Sequence, residues 1–437
     1  MDALERTHLD EAFRRRDPQG AVALRAAWVR EPTHELVNHY LGLLAFERGD
    51  LAEAERHFRM AASSAPFDPE RHNNLGVVLH ALGDPASAVK NFEAATALNP
   101  DFVQAINNHG AALAAAGDDA GAIGAYRRAL ALDPAYVEAR DNLEQACSRS
   151  APPWHFPMMA DTARNKAYEA AISRASPGRH VLDIGTGSGL LAMMAARAGA
   201  AKVDTCETVA PIAATAARII AANGFSERVS VHSKHSDAMV VGEDLSRRAD
   251  LLVTETFASG LLSEGVLPAL ERAWRDLLAP DAQVIPSRAA AHGYLVGGED
   301  IEAHLFAPTA TGFDLSAFDL FAPAKVGLHL DRIPHEALSA DFEIFAFDLM
   351  QTWFAPQRKV IEVAVTQAGR CVGVAQWLNL QLDAESNYEN RPRASAGANG
   401  WMHVLYRFDR PMDLKVGDTV RLAAGHSRTS MTIAPAT

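Results

Sequence analysis

The chain has 437 residues, of which 48% are hydrophobic and 22% charged, and its formal net charge is −13. This length predicts more than one domain, and the acidic balance argues against a protein that binds nucleic acid through phosphates. The sequence contains no run of ~18 apolar residues that could cross a membrane, and its charged N-terminus is unlike a signal peptide. Three scattered cysteines without a CxxC pattern predict reduced thiols. We therefore expect a cytoplasmic protein that binds neither membranes nor nucleic acid.

An internal repeat of 34 residues fills the first third of the chain. Glycines, aromatic residues and prolines recur at this interval: Gly42, Gly76 and Gly110; Phe58, Phe92 and Tyr126; Pro66, Pro100 and Pro134. A small residue where two helices cross, an aromatic side chain and a closing proline resemble the tetratricopeptide repeat. The pattern predicts an all-α solenoid over residues 1–148, with a degenerate first repeat over 1–33 and a capping helix over 137–148.

Asparagine occupies one position of this repeat three times, as Asn74, Asn108 and Asn142. Amides repeated along a groove can hydrogen-bond an extended peptide backbone without reading its sequence. These residues are therefore candidates for a concave peptide-binding groove. The alternative is a solenoid that serves as a spacer or as a dimer surface.

The sequence pattern changes at the prolines at 152 and 153 and again after residue 286. Over residues 149–286, the short apolar runs VLDIG, VDTCE, VSVHS, DLLVTE and AQVIP alternate with alanine-rich segments. This alternation predicts a parallel, Rossmann-like α/β sheet with helices on both faces. Over residues 287–437, segments such as CVGVAQWLNLQL and MHVLYRF predict an antiparallel β-barrel or sandwich. We therefore expect three domains.

A glycine-rich loop follows the first of these strands. It contains an acidic residue and three glycines: Asp183, Gly185, Gly187 and Gly189. Glycines at this point let the backbone approach a ligand closely, but the GxGxG pattern is shared by dinucleotide enzymes and methyltransferases. The acidic residue before the glycines and Glu207, which can bind ribose hydroxyls after the second strand, favour S-adenosyl-L-methionine. Ser236 and Asp237 are candidates for an adenine contact, with an ordinary solvated turn as the alternative.

Two glutamates nine residues apart, Glu255 and Glu264, follow the fourth strand in the segment ETFASGLLSEG. Glu255 ends the strand at the sheet edge where α/β proteins bind ligands, and Glu264 would return from a short apolar hairpin. Two carboxylates can hold a guanidinium, which has a pKa above ~12 and is a poor nucleophile, and can orient one nitrogen toward a methyl donor. No metal is required. Taken singly, the two residues could be a strand end and a helix N-terminal carboxylate.

These segments resemble the protein arginine N-methyltransferases over about residues 153–437, and they are most similar to the members numbered seven and nine. The resemblance implies an S-adenosylmethionine-dependent enzyme that acts on an arginine in a protein or peptide. The tyrosine-rich signature of the asymmetrically dimethylating members is absent, which favours a mono- or symmetrically dimethylated product. The segment FDLSAFDLF falls where the family has a helical dimerisation arm, near 305–330, and this implies a homodimer.

Further site residues come from the same resemblance. The segment WHFPMMADTARNKAY is similar to the family's cofactor-covering helix and implies that Arg164 meets the cofactor carboxylate, with His155 and Met158 lining the site. Asp161 would take the catalytic polar position of that helix.

One family feature is missing near the C-terminus, where a Thr-His-Trp loop reads Asn399-Gly400-Trp401. Trp401 can supply an apolar wall against the arginine stem, but the histidine that pairs with the aspartate at Asp161 is replaced by glycine. A peptide-binding scaffold with a weakened or inactive methyltransferase domain is therefore the alternative function. A methyltransferase for a small molecule is a third hypothesis.

Overall fold

The computed structural model describes residues 3–14, 18–150, 155–392 and 401–436. The chain divides into two compact units, residues 1–152 and 153–437, which are described separately. None of the helices in the described ranges has the length and apolar character needed to cross a bilayer.

The first unit consists of helices that pack in sequence order. They are α1 (Ala3–Arg14), α2 (Pro18–Arg30), α3 (Glu35–Glu47), α4 (Leu51–Ser64), α5 (Pro69–Ala81), α6 (Pro85–Leu98), α7 (Val103–Ala115), α8 (Asp119–Leu132) and α9 (Val137–Ser150). A Cβ atom added to Gly76 would lie 2.7 Å from the Phe92 ring, and one added to Gly42 would lie 2.6 Å from the Phe58 ring. Because only glycine permits so close an approach of paired helices, the predicted helix crossings are confirmed.

Aspartates define where the second helix of each repeat begins. Asp50, Asp84 and Asp118 are N-caps, and their side chains accept hydrogen bonds from backbone N–H groups three residues ahead at 3.0, 3.0 and 2.8 Å. Each bond satisfies a donor that the helix leaves unpaired, an effect of about 1 kcal/mol per cap. The recurrence of these caps every 34 residues places α4, α6 and α8 in the same register.

The second unit begins with two helices, α10 (His155–Ala160) and α11 (Thr162–Ala175), and continues as a parallel sheet with the further helices α12 (Leu190–Arg197), α13 (Ala210–Ala222) and α14 (Val266–Asp276). The strands are β1 (His180–Ile184), β2 (Lys202–Cys206), β3 (Val229–His232), β4 (Ala249–Thr254) and β5 (Leu278–Ile285). They are ordered β3-β2-β1-β4-β5, so all five predicted strands are confirmed. The strand order reverses between β1 and β4, and ligands bind at the carboxyl edge of such a switch point.

Antiparallel strands make up most of the remaining described residues, among which α15 (Glu299–Leu305) is the one α-helix. The strands are β6 (Arg288–Gly297), β7 (Thr309–Ala310), β8 (Phe313–Asp314), β9 (Lys325–Leu328), β10 (Glu336–Ala337), β11 (Phe342–Asp348), β12 (Gln357–Ala364), β13 (Gly369–Gln381), β14 (Asn387–Glu389), β15 (His403–Leu414), β16 (Thr419–His426) and β17 (Met431–Pro435). One sheet has the order β10-β6-β13-β15-β9, with β11 also on β6 and β14 also on β13, and a second has the order β12-β16-β17.

The predicted arm is helical only in part. The strands β7 and β8 form a small hairpin within it, and residues Ser316–Phe321 form a 3-10 helix.

One hydrophobic core joins the two kinds of sheet. It contains Leu182 and Leu252 of the parallel sheet together with Leu378 and Tyr406 of the antiparallel sheet. A continuous core packs the antiparallel strands against the parallel sheet. The predicted division of this unit at residues 286 and 287 remains a prediction.

Candidate active site

The glycine loop after β1 is shaped by close contacts that a side chain would prevent. Gly185 has a φ of +91°, and a Cβ atom on it would lie 2.6 Å from Cγ2 of Thr256. Gly189 has a φ of +80°, and its Cβ atom would lie 3.0 Å from the Ile220 side chain. The Gly185 N–H group donates to the carbonyl of Cys206 at 3.1 Å, which ties the loop to the end of β2. Glycine is therefore required here for geometry as well as for ligand approach.

Two acidic side chains face this loop. Glu207 follows β2, and its carboxylate accepts hydrogen bonds from the N–H groups of Gly187 at 3.2 Å and Val209 at 3.0 Å. Asp183 is fully buried, and its Oδ2 accepts from the Thr205 hydroxyl at 2.8 Å. Burial raises the pKa of Asp183 to about 7. Its Oδ1 has no hydrogen-bond partner among the described residues, so an acceptor is available to a ligand that carries hydroxyl or ammonium donors.

Arg164 and Glu255, which the sequence places far apart, form a buried ion pair. Nη2 of Arg164 lies 2.5 Å from Oε2 of Glu255, and the two side chains are only 4% and 5% exposed. The guanidinium also donates to Asn165 at 2.8 Å and lies 5.3 Å from the centroid of the Tyr168 ring. Burial raises the pKa of Glu255 to about 7, although Arg164 acts to lower it. The pair fixes one carboxylate oxygen and leaves the other for a second partner.

Glu264 is a second carboxyl group that acts on Glu255. Oε1 of Glu255 is buried, and within the described part of the chain it has no hydrogen-bond partner. The charge of Glu264 raises the pKa of Glu255 further. Glu264 is exposed to solvent. Its pKa is nevertheless raised, mainly by partial burial and to a smaller extent by the charge of Glu207. The two glutamates thus combine a buried carboxyl group with one that is open to solvent.

The segment between the two glutamates is not the predicted hairpin. Its first residues, 255–258, are irregular and 259–264 form turns and bends, and Leu261 and Leu262 are both buried in the core instead of alternating between two faces. The antiparallel sheet holds this segment in place, since Nε2 of Gln376 donates to the carbonyl of Ser259 at 3.0 Å. The Tyr406 hydroxyl in turn donates to Oε1 of Gln376 at 2.9 Å. Sequence analysis missed this contact; its only signal was a glutamine inside the apolar run of β13.

Asp161 has a partner that the sequence did not predict. It caps α11, where its Oδ1 accepts from the backbone N–H group of Arg164 at 2.9 Å. Its Oδ2 accepts from the hydroxyl of Tyr388 at 2.5 Å. The glycine at position 400, which stands where the family has histidine, lies outside the described residues, as does Asn399. Trp401 is described and is 7% exposed in the main core.

The remaining predicted cofactor residues lie on two separate elements. His155 and Met158 are half-buried on α10, immediately before Asp161. Ser236 is buried and Asp237 exposed in a 3-10 turn after β3, at the carboxyl edge of the parallel sheet.

The asparagines of the first unit connect adjacent repeats. All three are half-buried, and each amide nitrogen contacts the preceding repeat at 3.4, 3.1 or 3.1 Å: Asn74 to His39, Asn108 to Asn73, and Asn142 to Asn107. An amide has two donors and an oxygen acceptor, so one such bond does not exhaust it. The predicted groove therefore stays a prediction.

Models of two protein families match the chain. The tetratricopeptide repeat model matches residues 7–69 and 73–137, and that of ribosomal protein L11 methyltransferase matches residues 166–287. The first match confirms the repeat assignment. The second, which includes the glycine loop and both glutamates, shows that the parallel-sheet region is similar to a methyltransferase.

Relatives identify the kind of methyltransferase. The arginine N(omega)-methyltransferase of Streptomyces achromogenes subsp. streptozoticus is 37% identical over 292 residues, which cover 66% of this chain and 80% of that protein. Protein arginine N-methyltransferase 7 of Oryza sativa subsp. indica is 36% identical over 54% of this chain and 36% of its own length. Its namesake in Drosophila melanogaster is 30% identical over 63% and 46%. The chain belongs to the arginine N-methyltransferase family, whose methyl donor is S-adenosylmethionine. It spans less than half the length of the two relatives numbered seven.

Solved structures agree in fold. The Trypanosoma brucei PRMT1 enzyme–prozyme heterotetrameric complex with AdoHcy aligns with a TM-score of 0.56 at 20% identity, over 63% of this chain and 88% of that one. Protein arginine methyltransferase 10 of Arabidopsis thaliana aligns with a TM-score of 0.52 at 20% identity, over 64% and 88%. The predicted fold class is therefore confirmed.

Proposed function

We propose that this protein transfers a methyl group from S-adenosylmethionine to the guanidinium of a peptidyl arginine held by Glu255 and Glu264. The state of Glu255 carries the proposal. One of its oxygens is bound to Arg164, and among the described residues the other is buried without a partner. A buried acceptor left unpaired costs about 1–3 kcal/mol, and a guanidinium N–H group from the substrate would satisfy it.

The residues around the glycine loop fit the methyl donor. S-adenosylmethionine carries an amino-acid end and ribose hydroxyls, and the buried Oδ1 of Asp183 and Nε of Arg164 are both without a described hydrogen-bond partner. Arg164 would meet the donor's carboxylate, Asp183 its ammonium group, and Glu207 its ribose hydroxyls. When bound, the donor supplies an electrophilic methyl group on a sulfonium centre. The rest of the binding surface is assigned to the other predicted residues: Gly185, Gly187, Gly189, Ser236, Asp237, His155 and Met158.

The chain's own residues explain how the substrate would be activated. A guanidinium arrives charged, so it must be oriented and its positive charge drawn away from the attacking nitrogen. The pKa of Glu255 is raised to about 7 by burial, and an arriving cation lowers it because it stabilises the carboxylate. Substrate binding therefore favours ionisation of Glu255, and Glu264 can bind the guanidinium from the solvent side. Trp401 is assigned to the wall along the arginine stem.

The repeats are assigned a role in substrate binding through the groove of Asn74, Asn108 and Asn142. Amide groups along this row would pair with an extended peptide backbone. A spacer remains the alternative. The product is proposed to be mono- or symmetrically dimethylated arginine, because the tyrosine-rich signature is absent and several relatives are numbered seven.

A homodimer is proposed through the arm. Its exposed apolar side chains are concentrated between residues 313 and 321, where Phe318, Leu320 and Phe321 are 70%, 83% and 73% exposed. An apolar patch of this kind marks an interaction surface. Sedimentation of the wild-type chain and of Leu320→Glu tests it: a dimer that becomes a monomer supports the proposal, and a monomeric wild type contradicts it.

A second candidate is methylation of free arginine. The Streptomyces relative is named as an arginine, not a protein arginine, methyltransferase. Both proposed functions use the same pair of carboxylates to hold the guanidinium. They differ in whether the arginine is part of a peptide chain or is the free amino acid.

One experiment separates these functions. Purified protein is incubated with labelled S-adenosylmethionine and either an arginine-rich peptide or free L-arginine, beside Glu264→Gln and the exposed control Glu227→Gln. Label on peptide arginine that is lost in Glu264→Gln supports the proposal, and label on free arginine alone supports the second candidate. Cofactor binding without any transfer supports the scaffold alternative.

A further inference from the structure

Tyr388 reaches the candidate site from the antiparallel sheet. It lies on β14, where it pairs with Leu380 of β13, and it is 6% exposed. Its hydroxyl lies 2.5 Å from Oδ2 of Asp161. Burial, and then the bond to Asp161, raise the pKa of Tyr388, so the hydroxyl keeps its proton and donates to the carboxyl group. An O–H···O bond this short belongs to the strong class.

The hairpin that carries Tyr388 contacts α11 near both ends of that helix. In its turn, Oδ2 of Asp383 accepts from Nε and Nη2 of Arg174 at 2.9 and 2.6 Å. Arg174 lies in the last turn of α11, whereas Asp161 is the N-cap of the same helix. Tyr388 therefore contacts Asp161 from a hairpin that is itself bound to α11.

Asp161 connects this contact to the ion pair. Its Oδ1 accepts from the backbone N–H of Arg164 and its carbonyl from that of Asn165, at 2.9 and 3.0 Å, so it defines the first turn of α11. From that turn the Arg164 side chain reaches Glu255. The direction of the guanidinium thus depends on how Asp161 is held.

We infer that Tyr388 is a positioning residue for methyl transfer: by holding Asp161 it fixes the first turn of α11 and, through it, the Arg164–Glu255 pair. This inference rests on the proposed function. Displacement of a positioning contact by about 1 Å is enough to cost on the order of 100-fold in rate.

The kinetic test compares Tyr388→Phe, which removes only the hydroxyl, with Tyr294→Phe. Tyr294 is also buried, and its hydroxyl bonds His335 at 2.7 Å on another part of the sheet, so it matches the loss of a buried hydroxyl. We expect kcat to fall about tenfold or more in Tyr388→Phe, with KM for S-adenosylmethionine changed less than about threefold. A fall in kcat that Tyr294→Phe matches, or no fall, overturns the inference.

A double-mutant cycle tests whether Tyr388 acts through Asp161. Asp161→Asn keeps a helix-capping side chain. If the inference holds, adding Tyr388→Phe to the Asp161→Asn variant lowers its kcat by less than about twofold. Independent, multiplicative effects contradict it.

Hydrogen exchange gives a readout that needs no activity. The Arg164 amide should exchange about tenfold faster in Tyr388→Phe than in wild type or in Tyr294→Phe, because its cap is released. Unchanged exchange contradicts the inference. If wild type methylates no arginine substrate, the proposed function fails and this exchange measurement alone decides the role of Tyr388.

Discussion

The Arg164–Glu255 pair gives a prediction whose size follows from the structure. Burial raises the pKa of Glu255 from 4.5 to about 7 against the lowering effect of Arg164, and replacing Arg164 with Met removes that lowering charge but leaves the burial. In the folded wild type, the stabilisation from the neutral carboxyl group is complete below about pH 4.5 and is lost as pH rises through about 7. In Arg164→Met the folded-state pKa moves above 7, so stability continues to fall at higher pH.

The expected difference is about 1.4 kcal/mol for each pH unit above about 7, because one pKa unit corresponds to about 1.36 kcal/mol. The difference grows until the pH reaches the variant's own folded-state pKa, so at about pH 9 Arg164→Met should be less stable than wild type by up to about 3 kcal/mol.

Urea unfolding followed by tryptophan fluorescence measures this difference. Five of the six tryptophans lie at or after residue 154, so the signal reports mainly on the second unit. Arg288→Met is the matched control, because Arg288 pairs with Glu343 at the surface, with side chains 41% and 40% exposed. It should cost less than about 1 kcal/mol at every pH. The reasoning is refuted if the loss of stability in Arg164→Met is the same at about pH 7 and about pH 9. It is also refuted if Arg164→Met causes the same pH-dependent loss of stability in a chain that also carries Glu255→Gln.

Three further predictions concern the site and the repeats. Glu264→Gln should lower kcat/KM by about 100-fold without changing the unfolding midpoint, since the residue is exposed, while Glu227→Gln leaves both unchanged; equal rates for the two variants would contradict the carboxylate pair. Gly76→Ala should destabilise the first unit by about 1–3 kcal/mol in thermal unfolding through overpacking, whereas Gly124→Ala, in an open helical position, should stabilise it by up to about 1 kcal/mol. Deletion of residues 1–148 should reduce methylation of whole-protein substrates more than of short peptides, and equal loss would mean that the repeats do not bind substrate.

Local and periodic features of this fold could be predicted from the sequence. The spacing of Gly76 and Phe92 marks a helix crossing because both residues serve one contact, and that contact recurs in each repeat. The five parallel strands were recognisable because each is a short apolar run followed by a helix. Glu207 and Glu255 could be placed because residues at strand ends share the carboxyl edge of the sheet.

Contacts between distant segments could not be predicted in this way. Tyr388 and Asp161 are 227 residues apart, and their bond depends on how β14 docks on α11. The turns after Glu255 were predicted as a hairpin because an apolar run between polar residues has the same local pattern in both structures. What decides between them is the burial of Leu261 and Leu262, a property of the assembled core.

The most direct test of the central claim is mass spectrometry of the product that the wild-type chain forms from S-adenosylmethionine and an arginine-containing peptide. A methyl group on a guanidinium nitrogen, absent from the product of Glu255→Gln, is the predicted result. Methylation of another kind of atom, or unchanged arginine methylation by Glu255→Gln, would contradict the assignment of Glu255 to the guanidinium.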